Sequence, residues 1–240
     1  MAEKIKGKCK YCAKEYTYGY MGRHLAACRG QQSQPAAGKK KCGYFELAIS
    51  PRYDKDHWLF IEIKESATLQ DLDQFLRDIW LECCGHLSAF DIDGVTYDVE
   101  PDDDDFWDEP SEDMNHKLSR VLQKGMTFRY EYDFGDTTEL IITVRDHIKK
   151  AVVKDDLTIL SRNNPHVYIC KECGKKPAVV ICQECYYESG DGFLCEDCSR
   201  THTCGEEMQI NVCNSPRMGV CAYQGSARYP DQFEPDVPAK

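Results

Sequence analysis

Fifteen cysteines are the side chains of this sequence best suited to chemistry, and eight of them form Cys-x-x-Cys pairs. The pairs are Cys9/Cys12, Cys170/Cys173, Cys182/Cys185 and Cys195/Cys198. This is the spacing of metal-binding knuckles, in which two thiolates from one turn reach the same ion. Disulfides do not persist in a reducing compartment, and an odd number of cysteines cannot all pair with one another. The pattern therefore predicts an intracellular protein whose cysteines hold metal.

The first predicted metal site consists of Cys9, Cys12, His24 and Cys28, within residues 1–30. His24 and Cys28 are four positions apart, so on a helix they would lie on one face and reach one ion. With the Cys9/Cys12 knuckle they supply the four ligands of a tetrahedral Cys-Cys-His-Cys zinc finger. So short a segment buries little apolar surface alone, whereas structural zinc contributes roughly 10 to 16 kcal/mol to folding.

A second, larger set of ligands lies in residues 163–210, which we predict to be a binuclear zinc module. Its members are Cys170, Cys173, Cys182, Cys185, Cys195, Cys198, His202 and Cys204. Eight ligands suffice for two tetrahedral ions, so that the whole chain would bind about three zinc ions. Cys213 or Cys221 could replace Cys204 as the last ligand.

The eight ligands can be divided between two ions consecutively or in an interleaved, cross-braced way. Cross-bracing joins Cys170/Cys173 to Cys195/Cys198 and Cys182/Cys185 to His202/Cys204, leaving 21 and 16 residues between the paired halves. The consecutive division leaves only eight and three. Because separations of about 15 to 20 residues are typical of such sites, we favour cross-bracing. The arrangement resembles treble or ZZ-type fingers, except that His-x-Cys replaces the final His-x-His of ZZ modules.

Three further cysteines, Cys42, Cys83 and Cys84, have no neighbour at metal-ligand spacing, and we expect them to be small buried hydrophobic residues. A closed four-ligand shell leaves no coordination position for water or substrate, so the predicted ions are structural. The sequence also contains no His-Glu-x-x-His, zinc-deaminase, phosphate-loop or Gly-x-Ser-x-Gly motif. These features favour a protein that binds a protein partner over an enzyme.

Between the two cysteine-rich regions, the sequence predicts an α+β domain over residues 43–162. Residues 44–49 and 58–63 form strand-like runs, and Thr68 is a plausible N-cap for an amphipathic helix whose apolar residues continue to Cys83. Residues 90–99 alternate around an Asp-Gly turn. Phe128, Tyr130, Tyr132 and Phe134 alternate on one face before a second turn and a strand over 139–148.

This order of elements indicates a mixed or antiparallel sheet covered by one helix, as in a β-grasp fold. The remaining boundaries follow from composition: a flexible polar linker over residues 31–42, and an irregular tail over residues 211–240 that is rich in Pro and Gly.

The central domain resembles the plasmid pRiA4b ORF-3-like family. The resemblance rests on YDFGD at residues 132–136, HLSAF at residues 86–90 and TLQDLDQFL at residues 68–76. Many members have Trp and then His after the first motif, where this chain has Thr138 and Leu140. The zinc modules lie outside the family's core, and with NSPRMGVCAY at residues 214–223 they are similar to those of a cysteine-rich subgroup. The resemblance implies no particular reaction.

Asp133 and Asp136 flank the aromatic hairpin, and with His86 they could form a polar catalytic site at one end of the sheet. The simpler interpretation, which we favour, is that Asp136 stabilises the turn while Asp133 faces solvent. An enzyme or nucleic-acid-processing factor acting at this hairpin is the alternative function.

Charge is unevenly distributed along the chain. Residues 1–42 contain ten Lys or Arg and two Glu, a charge of +8, so the rest carries −19 of the total of −11. The basic segment could bind nucleic acid phosphates and stack bases. Its relevant side chains are Lys4, Lys6, Lys8, Lys10, Lys14, Arg23 and Arg29, with Tyr11, Tyr16, Tyr18 and Tyr20.

An acidic stretch over residues 98–113 includes four successive aspartates, Asp102–Asp105. We expect a solvated loop rather than a calcium site, because calcium loops space their oxygen ligands around a turn-forming Gly. No run approaches the roughly 18 apolar residues of a membrane helix, and no apolar segment follows the basic N-terminus. We therefore expect a cytoplasmic protein without a membrane partner.

Overall fold

The structure is a computed structural model that describes residues 4–32, 40–101 and 111–235. By contacts, the chain forms two compact units. The first unit comprises Met1–Phe75, Leu87–Asn164 and Gln232–Lys240, and the second comprises Leu76–His86 and Pro165–Asp231. In this division the N-terminal finger belongs to the same unit as the central sheet. Among the described residues, no helix has the length and apolar character needed to cross a bilayer.

The first unit is built on an eight-stranded sheet. Its strands are β3 (Lys41–Pro51), β4 (Leu59–Lys64), β5 (Ser88–Ile92), β6 (Val95–Asp98), β7 (Glu112–Asp113), β8 (Thr127–Tyr132), β9 (Thr138–Ala151) and β10 (Leu157–Arg162). A two-stranded sheet, β1 (Lys6–Lys8) and β2 (Glu15–Thr17), precedes them. The helices are α1 (Tyr18–Gln32), α2 (Leu69–Leu76) and α3 (Leu118–Val121).

Strand order in the large sheet is β10-β4-β3-β9-β8-β5-β6-β7. Every neighbouring pair is antiparallel except β6 and β7. A mixed sheet with few helices confirms the predicted α+β class. A β-grasp arrangement is not confirmed, and the two long central strands, β3 and β9, are antiparallel.

The hairpins expected from the sequence are present. β3 pairs with β4, β5 pairs with β6, and β8 pairs with β9. Asp93 and Gly94 join β5 to β6 with φ of 52° and 82°, the positive values that a two-residue hairpin turn requires. Along β9, Leu140, Ile142 and Val144 are buried and their neighbours are less so, which is the alternation of a strand with one face on the core.

The predicted helix after Thr68 begins as expected but ends early. The Thr68 backbone N–H donates to Asp71 Oδ2 over 2.8 Å, and the Asp71 backbone N–H donates to Thr68 Oγ1 over 3.2 Å, so the two residues cap the helix reciprocally. After α2, a π-helical turn over Arg77–Leu81 follows, and Glu82 is extended. The spacing predicts Cys83 on the apolar face of this helix. In the structure Cys83 lies beyond the end of the helix instead.

The zinc-finger segment packs onto the sheet. Its Met21 and Leu25 belong to a buried cluster with Ala48, Trp58, Phe60 and Leu160. Backbone hydrogen bonds join Lys10 N to Leu160 O and Asn164 N to Lys6 O, so β1 runs beside β10. Gly7 permits this approach, because a Cβ at that position would lie 2.0 Å from the carbonyl oxygen of Arg162. The finger thus gains the apolar contacts that its own length does not provide.

The second unit has little regular structure. A three-stranded antiparallel sheet has the order β12 (Phe193–Leu194), β11 (Val180–Cys182), β13 (Gln209–Asn211). Two short helices, α4 (Gln183–Ser189) and α5 (Glu196–Ser199), each follow a cysteine at the helix N-terminus. The buried cluster of this sheet consists of Cys170, Cys182, Leu194 and Cys195, so sulfur atoms occupy the position that aliphatic side chains have in a larger domain.

The segment after β13 lacks helices and strands over its described residues, in line with the predicted irregular tail. It is nevertheless well packed: Asn214, Ser215 and Arg217 are buried. Ser215 Oγ donates to the carbonyl oxygen of Trp80 over 2.6 Å, and Ser226 Oγ donates to that of Asp78 over 2.6 Å. These bonds tie the C-terminal segment to the π-helical turn.

Two expectations fall wholly or partly outside the described residues. The four aspartates Asp102–Asp105 lie outside the described residues. The structure describes only the two ends of the predicted linker over residues 31–42. At those ends, α1 extends to Gln32 and β3 begins at Lys41. The five-part division into domains stays a prediction.

Candidate metal centres

The first cluster brings together Cys9, Cys12, His24 and Cys28, whose ligand atoms all lie within 4.8 Å of one another. Cys12 Sγ and His24 Nε2 are 3.3 Å apart. The knuckle occupies the turn between β1 and β2, where the Ala13 N–H donates to the Cys9 carbonyl oxygen over 2.8 Å. The other two ligands lie one helical turn apart on α1, as their spacing predicted.

The electrostatics of this cluster suit a bound cation. Burial lowers the pKa of His24, with a smaller contribution from Lys14, so the imidazole is neutral and can donate a lone pair. Burial raises the pKa of Cys9 to about 12 in spite of the Tyr11 and Cys12 backbone N–H groups that face the sulfur. A divalent cation would stabilise this thiolate and release its proton.

The second cluster unites Cys170, Cys173, Cys195 and Cys198, again within 4.8 Å. Each pair begins a tight turn: the Gly174 N–H donates to the Cys170 carbonyl oxygen over 2.9 Å, and the Ser199 N–H donates to that of Cys195 over 2.9 Å. Burial opposes ionisation of Cys170, but backbone N–H groups from Cys173, Cys195 and Glu172 outweigh it and lower its pKa to about 6. A sulfur surrounded by N–H donors is prepared to be a thiolate ligand.

The third cluster contains Cys182, Cys185, His202 and Cys204. Cys185 Sγ lies 3.3 Å from His202 Nε2 and 3.7 Å from Cys204 Sγ. His202 Nδ1 lies 2.7 Å from Glu172 Oε1. With the proton on Nδ1, the imidazole donates to the carboxylate and turns the Nε2 lone pair toward the sulfurs, which is how carboxylates orient histidine ligands at metal sites.

The eight C-terminal ligands are therefore grouped in the interleaved way and not consecutively. Cys204 joins the third cluster, whereas Cys213 is buried elsewhere. All fifteen cysteines are free thiols, without a disulfide between them.

A fourth cluster was not foreseen. Cys83, Cys84 and His86 meet Cys221, and their ligand atoms lie within 4.8 Å of one another. The prediction that Cys83 and Cys84 are small buried residues is wrong: Cys84 is exposed and Cys83 is partly exposed, as is Cys42. Local spacing could not reveal this cluster, since its fourth member is more than 130 residues away along the chain.

The candidate catalytic aspartates have different environments from those expected. Asp133 does not face solvent but is only 7% exposed, and its Oδ1 accepts hydrogen bonds from the backbone N–H groups of Gly135 at 3.1 Å and Asp136 at 3.3 Å. Asp136 is the exposed one. His86, the third candidate, belongs to the second unit, where its Nε2 lies 3.6 Å from Cys221 Sγ. Phe134 is exposed in the turn and does not share the buried face of Phe128, Tyr130 and Tyr132.

A cavity of about 370 Å³ lies on the first unit, between the finger and the sheet. Lys10, Tyr11, Glu62 and Lys150 are among its lining residues, and the aspartates of the hairpin are not. Lys150 pairs with the buried carboxylate of Glu62.

α2 contributes a buried polar group that sequence analysis missed. Asp73 is fully buried, and its Oδ1 accepts hydrogen bonds from Ser88 Oγ and the Tyr130 hydroxyl, each at 2.7 Å. Ser88 lies on β5 and Tyr130 on β8. Asp73 therefore fixes α2 over these two strands, and Ser88 and Asp73 each fall within a motif that the family resemblance rests on.

Comparison with known proteins agrees with that resemblance. Residues 51–165 match the model of the family described as plasmid pRiA4b ORF-3-like protein. No curated protein is significantly similar to the chain. One similar solved structure is a protein of unknown function from Methanosarcina mazei Go1, with 20% sequence identity and a TM-score of 0.42 over 50% of this chain and 68% of that one. The matched residues include all three sequence motifs and exclude the first three metal clusters. The central part of the chain, residues 51–165, is therefore similar to the plasmid pRiA4b ORF-3-like family.

Proposed function

We propose that this chain is a zinc protein whose ions are structural, and that its function is to bind another macromolecule rather than to catalyse a reaction. One observation carries the proposal. Three clusters each present four sulfur or imidazole ligands within 4.8 Å of one another, the number that a tetrahedral zinc site requires. A filled shell stabilises the fold around it and leaves no position for substrate.

The ligand types select zinc among the common metals. The first and third clusters each contain three thiolates and one imidazole, and the second contains four thiolates. Sets of soft sulfur ligands with at most one nitrogen, in tetrahedral arrangement, suit zinc and exclude calcium and magnesium, which require oxygen. Four thiolates alone also suit iron, but the two imidazole-containing clusters are typical of zinc fingers.

Elemental analysis of purified protein tests the metal. We expect at least three zinc ions per chain, from the three clusters with a buried sulfur. A ratio near one would contradict the proposal. Cobalt substitution is the second measurement: tetrahedral sites with three or four thiolates give intense visible absorption bands, and their absence from the cobalt-loaded protein would contradict the assigned ligand sets.

An apolar face on the second unit supports a protein partner. Ile169 forms a bridge with Pro177, and the Ala178 N–H donates to the Tyr168 carbonyl oxygen over 2.8 Å, so the two segments are antiparallel. Because side chains two residues apart on a strand share a face, Val167 and Val179 lie on the same face of this strand pair as Ile169 and Pro177. Val167, Ile169 and Val179 are 69%, 51% and 47% exposed. Neighbouring exposed aliphatic side chains of this kind mark protein interaction surfaces.

Substitution of this face tests the partner. We expect intact protein to capture a partner from a cell lysate, and Val167→Glu/Ile169→Glu to lose it, because two carboxylates would have to be buried on binding. Val95→Glu/Val152→Glu is the matched control, since it adds the same charge at exposed valines of the first unit. Equal capture by both double variants would contradict an interface at this face.

Single-stranded nucleic acid is a second candidate ligand, because some basic and aromatic side chains of α1 and of the segment that precedes it are exposed. Arg23 lies over the Tyr20 ring at 5.4 Å from its centroid, and both are exposed, as is Lys14. Other members of the predicted basic surface serve the fold: Arg29 pairs with Glu46, and Lys8 pairs with Glu234.

Titration of labelled RNA and DNA at two salt concentrations tests this candidate. We expect affinity to fall with salt and to be weaker for Tyr20→Ala/Arg23→Ser, which removes one stacking group and one phosphate contact. Lys55→Ser, which removes an exposed charge far along the sequence, is the control. Absence of binding at low salt would exclude nucleic acid as a ligand.

A further inference from the structure

The fourth cluster combines one compact segment with one distant residue. Cys83, Cys84 and His86 lie within the five residues that follow the π-helical turn, and Cys221 approaches them from the C-terminal segment. Cys84 Sγ lies 3.5 Å from Cys221 Sγ, and Cys221 Sγ lies 3.6 Å from His86 Nε2. All four belong to the second unit.

These distances fit a tetrahedral ion. Zinc–sulfur bonds of about 2.3 Å and zinc–nitrogen bonds of about 2.0 Å place neighbouring ligand atoms roughly 3.5 to 3.8 Å apart. The first three clusters have similar separations, such as 3.3 Å between Cys185 Sγ and His202 Nε2 and 3.9 Å between Cys173 Sγ and Cys195 Sγ. The fourth cluster therefore has the ligand types and the spacing of the other Cys-Cys-His-Cys sets.

The backbone holds both halves of the cluster in place. Gly85, between Cys84 and His86, has a φ of +73°, and its N–H donates to Glu82 Oε1 over 2.6 Å. Cys221 has a φ of +51°, which is rare for a residue with a side chain. Gln183 Nε2 donates to the carbonyl oxygens of Cys221 at 2.6 Å and Gly219 at 3.2 Å. Strained residues fixed in this way are concentrated at ligand sites.

We propose that Cys83, Cys84, His86 and Cys221 bind a fourth divalent ion of the zinc type, which joins the C-terminal segment to the π-helical turn. This site is more open to solvent than the other three. Cys84 and Cys221 are exposed and neither of the other two ligands is buried, whereas each of the other clusters contains at least one buried sulfur. Because a competing ligand reaches exposed sulfurs directly, the fourth ion exchanges faster than the others.

Metal content of three variants tests the proposal. We expect four zinc ions per chain in the intact protein and three in Cys84→Ser and in Cys221→Ser. Cys42→Ser, which alters a cysteine outside all four clusters, should keep four. Far-UV circular dichroism identifies a variant that fails to fold, and Cys84→Ser is an exposed change that leaves the other shells complete. Three ions in the intact protein, or four in both variants, would overturn the fourth site.

Chelation kinetics test the faster exchange independently. With a chromophoric chelator in excess, we expect one equivalent of zinc to leave the intact protein at least tenfold faster than the rest. Cys84→Ser should lack this fast phase and retain the slow one. A single rate for all ions would overturn the proposal that the fourth ion exchanges faster than the others. If instead the three-zinc proposal is wrong, the slow phase itself will be absent.

Discussion

The Asp133 side chain is explained by the geometry of one turn. Its backbone has a φ of +64°, a conformation that disfavours most residues but is accessible to Asp and Asn. Its Oδ1 accepts two backbone N–H groups from the following residues, which closes the turn between β8 and β9. The geometry of the turn is therefore sufficient to explain an Asp at this position of the YDFGD motif.

Two substitutions separate the turn from catalysis. Asp133→Asn keeps the Oδ1 acceptor and tolerates the positive φ, so we expect the free energy of unfolding to change by less than about 0.5 kcal/mol. Asp133→Ala loses the acceptor in a conformation unfavourable for Ala, and we expect a loss of about 1 to 3 kcal/mol. Urea unfolding measures both. Equal destabilisation by Asn and Ala would show that the turn does not account for this residue.

At the scale of elements, α1 is attached to the sheet by a charge pair as well as by apolar contacts. Arg29 Nη1 lies 2.7 Å from Glu46 Oε2 and its Nη2 lies 3.1 Å from Asp146 Oδ2. Glu46, on β3, is 3% exposed. Burial raises the pKa of Glu46, and the attraction of Arg29 offsets this only in part. The Arg29 guanidinium thus stabilises the buried Glu46 carboxylate where α1 packs on the sheet.

Removal of that guanidinium should be costly in a pH-dependent way. We expect Arg29→Met to destabilise the protein by roughly 3 to 5 kcal/mol at neutral pH, because it leaves Glu46 buried without its partner. Loss of the partner raises the Glu46 pKa further in the folded state. In this variant the pKa of Glu46 is higher in the folded state than in the unfolded state. Protonation of Glu46 therefore favours the folded state at low pH, and this contribution is lost as the pH rises through the folded-state pKa. The loss of unfolding free energy should thus shrink as the pH falls toward about 5.

The matched control for this prediction is Arg29→Met/Glu46→Gln, which removes the charge that lacks a partner. We expect it to recover part of the lost free energy of unfolding and to lose the extra pH dependence. Thermal unfolding at several pH values between 5 and 8 measures both variants. A deficit in Arg29→Met that is independent of pH, or no recovery in the double variant, would show that the charge pair is not what attaches α1.

Sequence predicts the elements where the determining interactions are local. The Asp93-Gly94 turn, the Thr68–Asp71 cap and the Cys-x-x-Cys knuckles each depend on residues within a few positions, and each is present. The π-helical turn and the pairing of Lys41 with Ala151 depend on packing between distant residues. The fourth cluster depends on distant residues in the same way: Ser215, Ser226 and Gln183 hydrogen-bond the C-terminal segment that carries Cys221.

At the scale of the whole molecule, we expect the two cysteine-rich regions to depend on metal to different extents. The first unit buries a large set of aliphatic and aromatic side chains in its sheet, among them Leu47, Ile61 and Tyr130. Between residues 165 and 231 the buried apolar side chains other than cysteine are few: Ile181, Leu194, Ile210 and Tyr223. Since so small a core offsets little of the conformational entropy of folding, we expect this segment, unlike the apolar π-helical turn of the same unit, to need bound metal for its stability.

Chelation should therefore separate the two units. With a strong chelator and a reductant present, we expect amide hydrogens of residues 170–213 to lose most of their protection from exchange, because the thiolates that form the buried cluster would repel one another or take up protons. Residues 44–49, 59–63 and 128–132 should keep theirs, since the sheet is held by apolar burial and backbone hydrogen bonds. Hydrogen exchange followed by mass spectrometry measures each segment, and excess zinc should restore the lost protection. Equal loss of protection in the sheet and in the cysteine-rich segment would mean that the metal centres stabilise the first unit as strongly as the second. The sheet would then need the zinc of its own finger, which packs on it through Gly7 and Arg29, in order to stay folded.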